Sequence, residues 1–585
     1  MAKNFEYTLG SFRGLNLCRD SSFATSSGQS PKSVNFSVGD GYSLSKRKGY
    51  SVLSRYDGCG RGITAFSHKG REWVVFVRDR YVVVWTDDGE KVVGELESDS
   101  GQVDFLRFSG KLYILDGKKI KCWDTQTFSD IEPYRPLVAV STTPDGAGVA
   151  FEEKNLLTGK VRQSFTMNNT VIKLQLALDG LDSVDYIKAG DEEIPKSSCV
   201  IDLAHGTVTV PDKYRDYGVI DGIEVGYTKG TGSAALVHAM RHAVAYGGEN
   251  DTRIFLYGDP ENPDVLRYSG VASGVSGMEY FPENSFNKIG CASPVTSVVR
   301  HYDRLVVFCP NEAFYLYGER VSDESGLERT RFPTYPLSNT VGCEPEGFVQ
   351  VVNNLPVTFD RGTLYRWHSS SVRDERYAED MAERVKEGFK GWCAKEVKAF
   401  DSESTDELFV WCKDEIYVYN YKLDVFYFWR GIEPTGFVTL ENSRILFERC
   451  DGSLCALFEG ALDDTLPVEA EWESDYLEIF PGIKNLHRLD VLVFPELDTE
   501  ADIEWVSDKG ESGGCVLKGN YRRFSFKKLD FSRLGFKMGL APERIKYRAL
   551  HKRFERVKIK LSCKAPNTAL KVKCITLAGK ALDKK

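Results

Sequence analysis

The sequence predicts an all-β chain built on an irregular β-propeller of about six or seven blades, with one β-sandwich inserted into it and a second, jelly-roll-like β-sandwich at its C-terminal end. Three observations predict this. A hairpin unit keeps returning, in which a short apolar strand runs through a polar turn into a second strand ending in an aromatic residue. Aromatics are abundant, with 28 Tyr and 34 Phe against only 6 Met, which favours strand over helix. No unit is long enough to bury its own apolar face, so the units must stack on one another.

The clearest copy is GITAFSHKGREWVVFVRDRYVVVWTDDGEKVVGE, from Gly62 to Glu95. Looser copies begin at Gln102 (QVDFLRFSGKLYILDGKKIKCWD), Thr296 (TSVVRHYDRLVVFCPNEAFYLYGE) and Gly347 (GFVQVVNNLPVTFDRGTLYRWH). Two more begin at Glu407 (ELFVWCKDEIYVYNYKLDVFYFWRG) and Gly436 (GFVTLENSRILFERCDGSLCALFEG).

In chain order, residues 1–57 read as an N-terminal arm or platform segment. They are rich in Ser, Gly and Asn, and turn signals crowd at Ser27-Gly28, Pro31 and Asp40-Gly41. Residues 58–136 hold the first part of the propeller. Pro133, Pro136 and STTPDGAG then break the pattern, and 137–233 reads as an inserted β-sandwich with strands such as VIKLQLAL and CVIDLAHGTVTV. The propeller resumes over 234–466. Inside it, Tyr377, Met381, Val385 and Phe389 recur every four residues and predict an amphipathic helix over 372–389, ended by Gly391. Such a helix packs on a blade or lines a central channel. Residues 467–585 form the basic C-terminal β-domain, with clear alternation from Val557 to Leu561 and from Leu570 to Ile575.

The net charge of −9 is uneven. Residues 520–585 carry 20 Lys or Arg against 4 Asp or Glu, a local +16, and the remainder carries 56 against 81, or −25. That asymmetry predicts electrostatic contact, either with an acidic face of a neighbouring copy or with a phosphate backbone. The candidate interface is Arg544, Lys546, Arg548, Lys552, Arg553, Arg556, Lys558 and Lys560. Phe524, Phe526, Phe531, Phe536, Tyr547 and Phe554 are interleaved with this stretch, as in stacking platforms for single-stranded nucleic acid. The strict alternation of RVKIKL favours the plainer arrangement, aromatics inward and lysines outward. Docking between subunits, or sequence-blind contact with DNA passing through a ring, fits it better than base recognition.

No catalytic residue, cofactor or metal is predicted, and the chain does not read as an enzyme. It has no phosphate loop, no HExxH and no GxSxG. His238 and His242 stand four apart, a spacing that shares a metal on a helix, but no Cys or carboxylate cluster accompanies them in sequence. Cys450 and Cys455 flank the Asp451-Gly452 turn and are expected to face each other across a hairpin. VSDESGLERTRF and VSDKGESGG begin like the repeated turns of sialidase-type propellers, yet neither ends in the Trp that those turns require. The 14 cysteines, many in apolar strands, read as thiols of a protein made in a cytoplasm. No run of about 18 apolar residues exists, so no membrane span is expected.

Several stretches resemble bacteriophage tail-associated propeller virion proteins. They are the opening GLN…SGQSPKSVNFSVGDGYSLSKRKGY, the segment from Gly247 to Gly270 (GGENDTRIFLYGDPENPDVLRYSG), that from Met278 to Tyr317, and SVRDERYAEDMAERV from Ser371 to Val385. The layout is similar to the tail nozzle, or tail tubular, proteins of short-tailed phages. The resemblance implies a virion protein of the tail, assembled in the host cytoplasm. It implies a structural homo-oligomer, a hexameric ring below the portal and its adaptor among other tail proteins, through which genomic DNA passes during ejection. No catalytic residues come with it. Two rival functions remain open: a distal baseplate or receptor-binding propeller recognising host cell-wall polysaccharide, and a glycan-cleaving propeller enzyme.

Overall fold

The computed structural model describes residues 3–18, 28–169, 171–247, 252–272, 274–275, 277–290, 293–322, 328–368, 378–479, 481–494, 499–519, 542–566 and 568–582. The chain is all-β, with 54% of it in strands and 4% in helix. It divides into two compact units, Phe66–Gly347 on one side and Met1–Ala65 with Phe348–Lys585 on the other.

The recurring hairpins are four-stranded antiparallel meanders, seven in all among the described residues. The first comprises Gly60–His68, Arg71–Arg78, Tyr81–Thr86 and Gly89–Glu95. The second begins at Asp104–Phe108 and ends at Phe128–Asp130, and the third runs from His242–Tyr246 to Phe286–Lys288. The fourth holds Ser297–His301, Arg304–Cys309, Glu312–Leu316 and Thr334–Ser338. In the other unit the fifth runs from Gln350–Val352 to Ala378–Asp380 and the sixth from Lys398–Ser402 to Val425–Arg430. The seventh takes Pro434–Thr439, Ile445–Arg449 and Leu454–Leu457 from the late chain and its fourth strand, Tyr50–Ser54, from the early chain.

Local turn chemistry closes these hairpins. Lys69-Gly70, Ser109-Gly110, Asn353-Asn354 and Arg361-Gly362 each place two successive residues at positive φ. That is the type I′ geometry whose twist matches paired strands. Asparagine and glycine reach it cheaply.

Successive meanders share cores. Phe66, Val75 and Val84 of the first pack with Leu112, Ile114 and Trp123 of the second. Tyr113 and Leu115 pack with Ile254 and Leu256 of the third, and Phe255 and Tyr268 with Leu305 and Val307 of the fourth. The first strands also neighbour one another. Asp104–Phe108 lies beside His242–Tyr246, which lies beside Ser297–His301, and Lys398–Ser402 lies between Gln350–Val352 and Pro434–Thr439.

Between the second and third meanders, residues 137–228 form a six-stranded and a three-stranded sheet around a core of Phe165, Leu174, Ile187, Val208, Val225 and Tyr227. Asn155, 2% exposed, anchors this insert by donating to the carbonyls of Tyr134 and Glu279.

The C-terminal region is a second sandwich, and the early chain completes it. One sheet contains Lys3–Leu9, Phe36–Gly39, Ser43–Lys46, Lys571–Ala581, Lys484–Phe494 and Glu543–Phe554. The other contains Ala470–Glu473, Val557–Cys563, Thr499–Ser507 and Ser512–Gly519, and Lys32–Val34 joins it to the last strand of the sixth meander. Arg47 fixes this junction from inside. Its guanidinium holds both oxygens of Asp463, at 2.7 and 2.6 Å, and also donates to Asn35 Oδ1 and to the carbonyls of Lys48 and Arg430.

The helix expected over 372–389 is corrected where it can be seen. Residues 372–377 lie outside the described residues. Beyond them Ala378–Asp380 is the outer strand of the fifth meander, and Lys386–Phe389 is a single 3-10 turn. Pairing of Trp367 with Ala378, and donation from Thr363 Oγ1 to Asp380 at 2.8 Å, hold the chain extended. The apolar stripe still marks burial, since Val385 and Phe389 are enclosed.

Candidate functional site

The predicted interface cations fall on two strands of the C-terminal sandwich, five on the first and two on the second, with Arg556 in the turn between them, and the two strands treat them differently. On Val557–Cys563 the odd residues Val557, Ile559, Leu561 and Cys563 enter the core and the even ones point out. Acidic neighbours from adjoining segments meet these outward cations. Lys558 lies 3.2 Å from Glu473, Lys560 3.8 Å from Glu504 and Arg556 4.0 Å from Glu478. Three of the eight predicted cations are therefore largely neutralised within the fold.

Among the described residues Glu543–Phe554 is an edge strand, paired on one side with Lys484–Phe494. Ala549 and His551 face the core, with Ile545 and Tyr547 half-buried beside them. The outer face presents Arg544, Lys546, Arg548, Leu550 and Lys552 in a row. Arg544 approaches Asp490 at 3.9 Å. Among the described residues no carboxylate lies within ion-pair distance of Lys546, Arg548, Lys552 or Arg553. A bulge brings Arg553 outward beside Lys552. Its φ is 59°, its N–H donates to Asn485 Oδ1 at 2.8 Å, and the register slips between Lys484 and Leu486. Leu550, 58% exposed, interrupts the cationic row with an apolar group.

A linear row of cations on a rigid strand attracts a polyanion or an acidic protein face over about a Debye length. It does not read bases. Phe554 is fully buried and Tyr547 half-buried on the inner face, so neither offers a free ring. Phe524, Phe526, Phe531 and Phe536 lie outside the described residues.

The other candidates separate on inspection. His238 ends a one-turn helix, and its Nδ1 accepts the Ile120 N–H at 3.3 Å. His242 begins the third meander, with Nδ1 3.0 Å from Asp104, Nε2 3.9 Å from Glu346 and its ring stacked on Tyr257. Burial opposes its charge, yet the two carboxylates outweigh burial and hold it up at about 9, while the imidazolium holds Glu346 low. His242 thus locks the first strands of the second and third meanders together. Among the described residues no group of three or more His, Cys, Asp or Glu is arranged to hold a metal.

Cys450 and Cys455 do not face each other. Cys455 is buried opposite Phe447, and Cys450 sits past the last paired residues and donates to Glu433 at 3.1 Å. The first sialidase-like turn falls partly on 323–327, outside the described residues. Asp508 and Gly510 of the second form the hairpin turn between Thr499–Ser507 and Ser512–Gly519.

A cleft of about 810 Å³ in the same unit as the basic strand holds Glu407, which burial pushes up to about 7. A carboxyl poised there can serve as a general acid or base. Its partners, however, are Tyr427, Thr405 and Asn420, which tie together neighbouring strands and the turn of the sixth meander. Neither the Arg47–Asp463 junction nor the His242 lock stood out in the sequence, because their partners are remote along the chain. Among the described residues no helix is long and apolar enough to cross a membrane. Compared with protein-family models and with curated proteins, the chain matches none.

Proposed function

We propose that this chain is a structural protein of a bacteriophage tail, a nozzle or head-to-tail component that forms a ring and conducts DNA during ejection. In this reading the seven meanders are the blades of one propeller. Shared cores between consecutive meanders, and first strands that lie side by side, support that arrangement. The early strand Tyr50–Ser54 completes the last meander, a pairing of early with late chain that supports a ring of blades in this reading.

One observation carries the assembly reading: an exposed cationic edge strand on a chain whose residues 1–519 carry a net −25. A closed ring is held by unlike faces, each copy offering one surface to a different surface of the next. A basic row on one face and an acidic surface on the other give attraction with a fixed direction. The acidic excess also suits a lumen wall that lets a polyanion slide past.

Sedimentation and electron microscopy of the purified full-length chain test this. A ring of about six copies is expected near 0.1 M salt. It should dissociate towards monomers near 1 M, where the screening length falls from about 10 to 3 Å. The variant Lys546→Glu/Arg548→Glu should stay monomeric at low salt. A monomer under every condition, or a ring indifferent to both salt and these substitutions, overturns the proposal.

A further inference from the structure

The fourth meander carries a cluster of aromatic and charged groups on which the ring proposal does not rest. Tyr315 and Tyr335 stand opposite each other on adjacent strands, and Tyr317 lies two residues beyond Tyr315 on the same face. The three rings are within 21° of parallel, with centroids 5.3, 5.5 and 6.5 Å apart. The Arg304 guanidinium sits 4.5 Å over Tyr315. The hydroxyls form a chain, Tyr317 donating to Tyr335 at 3.5 Å and Tyr335 to Glu319 at 2.9 Å. Tyr317 is 36% exposed.

This cluster adjoins a cleft of about 1170 Å³ that shares Glu319 with it and is also lined by Thr334, the chain neighbour of Tyr335. Five cations line the cleft: Arg253, Lys288, Arg320, Arg329 and Arg331. Of the three carboxylates there, Glu153 is taken by Arg329 at 3.2 Å and Glu319 by the Tyr335 hydroxyl. Lys288 and Arg331 are exposed, and among the described residues no carboxylate lies within ion-pair distance of either. Phe286 and Val321 add apolar surface at 37% and 39% exposure. Glu152, the third carboxylate, accepts from the Tyr134 hydroxyl and the Leu137 N–H, so among the described residues the lining carries more cations than carboxylates.

We propose that this cleft and its tyrosine rim bind an acidic polysaccharide. The cations match carboxylate or phosphate groups along a sugar chain. The rim offers a mixture that sugars use, with ring surface for C–H faces, and hydroxyls and a carboxylate for sugar O–H donors. A nucleic-acid strand fits worse. Its backbone phosphates carry no O–H to donate to Glu319, the acceptor at the end of the tyrosine hydroxyl chain, whereas a sugar chain carries many.

Calorimetric titration of the full-length protein with a galacturonate hexasaccharide tests the assignment. Binding is expected, and Tyr317→Ala and Arg331→Gln should each weaken it about tenfold. Arg548→Gln, on the basic edge strand, should leave it unchanged. Maltohexaose, neutral and of equal length, should bind at least about tenfold more weakly. Absence of binding, equal affinity for the neutral sugar, insensitivity to both cleft variants, or tighter binding of an oligothymidylate would each overturn the proposal. Near-ultraviolet circular dichroism of each variant checks that its loss is not unfolding. A variant that does unfold is replaced by Lys288→Gln, which lies on a different strand and is expected to weaken binding similarly.

Discussion

Replacing Arg47 by methionine tests how the early and late parts of the chain are tied together. The arginine side chain is 0% exposed and its Asp463 partner 10%. Methionine restores part of the volume but donates nothing. It leaves a buried carboxylate, two backbone carbonyls and one of the contacts of Asn35 Oδ1 without their donor. Asn35 Oδ1 keeps the Arg430 N–H at 2.9 Å, so the carboxylate dominates the loss. Removing one member of a buried ion pair costs about 3–5 kcal/mol. Urea unfolding followed by tryptophan fluorescence reads this unit, because Trp429 and Trp472 lie in its core. With a slope of about 3 kcal/mol per M, the midpoint should fall by about 1 to 1.7 M. Arg47→Met/Asp463→Leu removes both charges and should recover most of that loss. A fall below about 0.3 M for the single variant, or a double variant as unstable as the sum of its singles, would refute the argument.

Two further outcomes concern titration in the other unit. His242 is raised from 6.5 to about 9, so its contribution is complete below pH 6.5 and is lost as pH climbs through 9. At 1.36 kcal/mol per pK unit this amounts to about 3 kcal/mol. Thermal unfolding between pH 6 and 9.5 should show that slope, and His242→Gln should flatten it. Burial alone would raise Asp116, but N–H groups of Lys119, Lys118 and Ser98, with the Ser98 hydroxyl, hold it below its ordinary 3.8. Its stabilisation is present above 3.8 and is lost as pH falls through the lowered value. Asp116→Asn should cost about 1–3 kcal/mol near neutrality and make acid unfolding less steep, as followed by circular dichroism.

What could be read from the sequence was what is local. Lys69-Gly70 and Arg361-Gly362 announce hairpins because the turn itself demands residues that tolerate positive φ. The alternation in VKIKL announces a half-buried strand for the same local reason. The fourth strands were hidden, because Tyr50–Ser54 joins partners some four hundred residues away and Thr334–Ser338 follows an intervening hairpin. The period-four stripe ending at Phe389 located burial correctly and backbone wrongly. A single short stretch of helix is marginal without tertiary support, and strand pairing at Ala378 wins. The basic patch was legible as composition but not as electrostatics. Glu473 and Glu504, which neutralise Lys558 and Lys560, arrive from separate strands, so among the described residues of the predicted patch the cations without an ion-pair partner lie on the edge strand. In the same way FYLYGE showed alternating tyrosines, but the register that sets Tyr335 against Tyr315 comes from the fold.

The pairing pattern also orders events in assembly. Glu543–Phe554 is held by Lys484–Phe494, which pairs on its other side with Lys571–Ala581, and that strand in turn receives Lys3–Leu9. The cationic row is therefore held in place only when segments from both parts of the chain have met. Contacts of such long sequence separation form slowly, since loop closure must precede them. Before they form, Arg544, Lys546, Arg548 and Lys552 belong to a flexible segment and present no fixed face. Once the strand is paired, alternation sends all four to one side while Ala549 and His551 lock the other side into the core. A binding edge that depends on the completed sandwich favours joining of finished subunits over joining of partly folded ones.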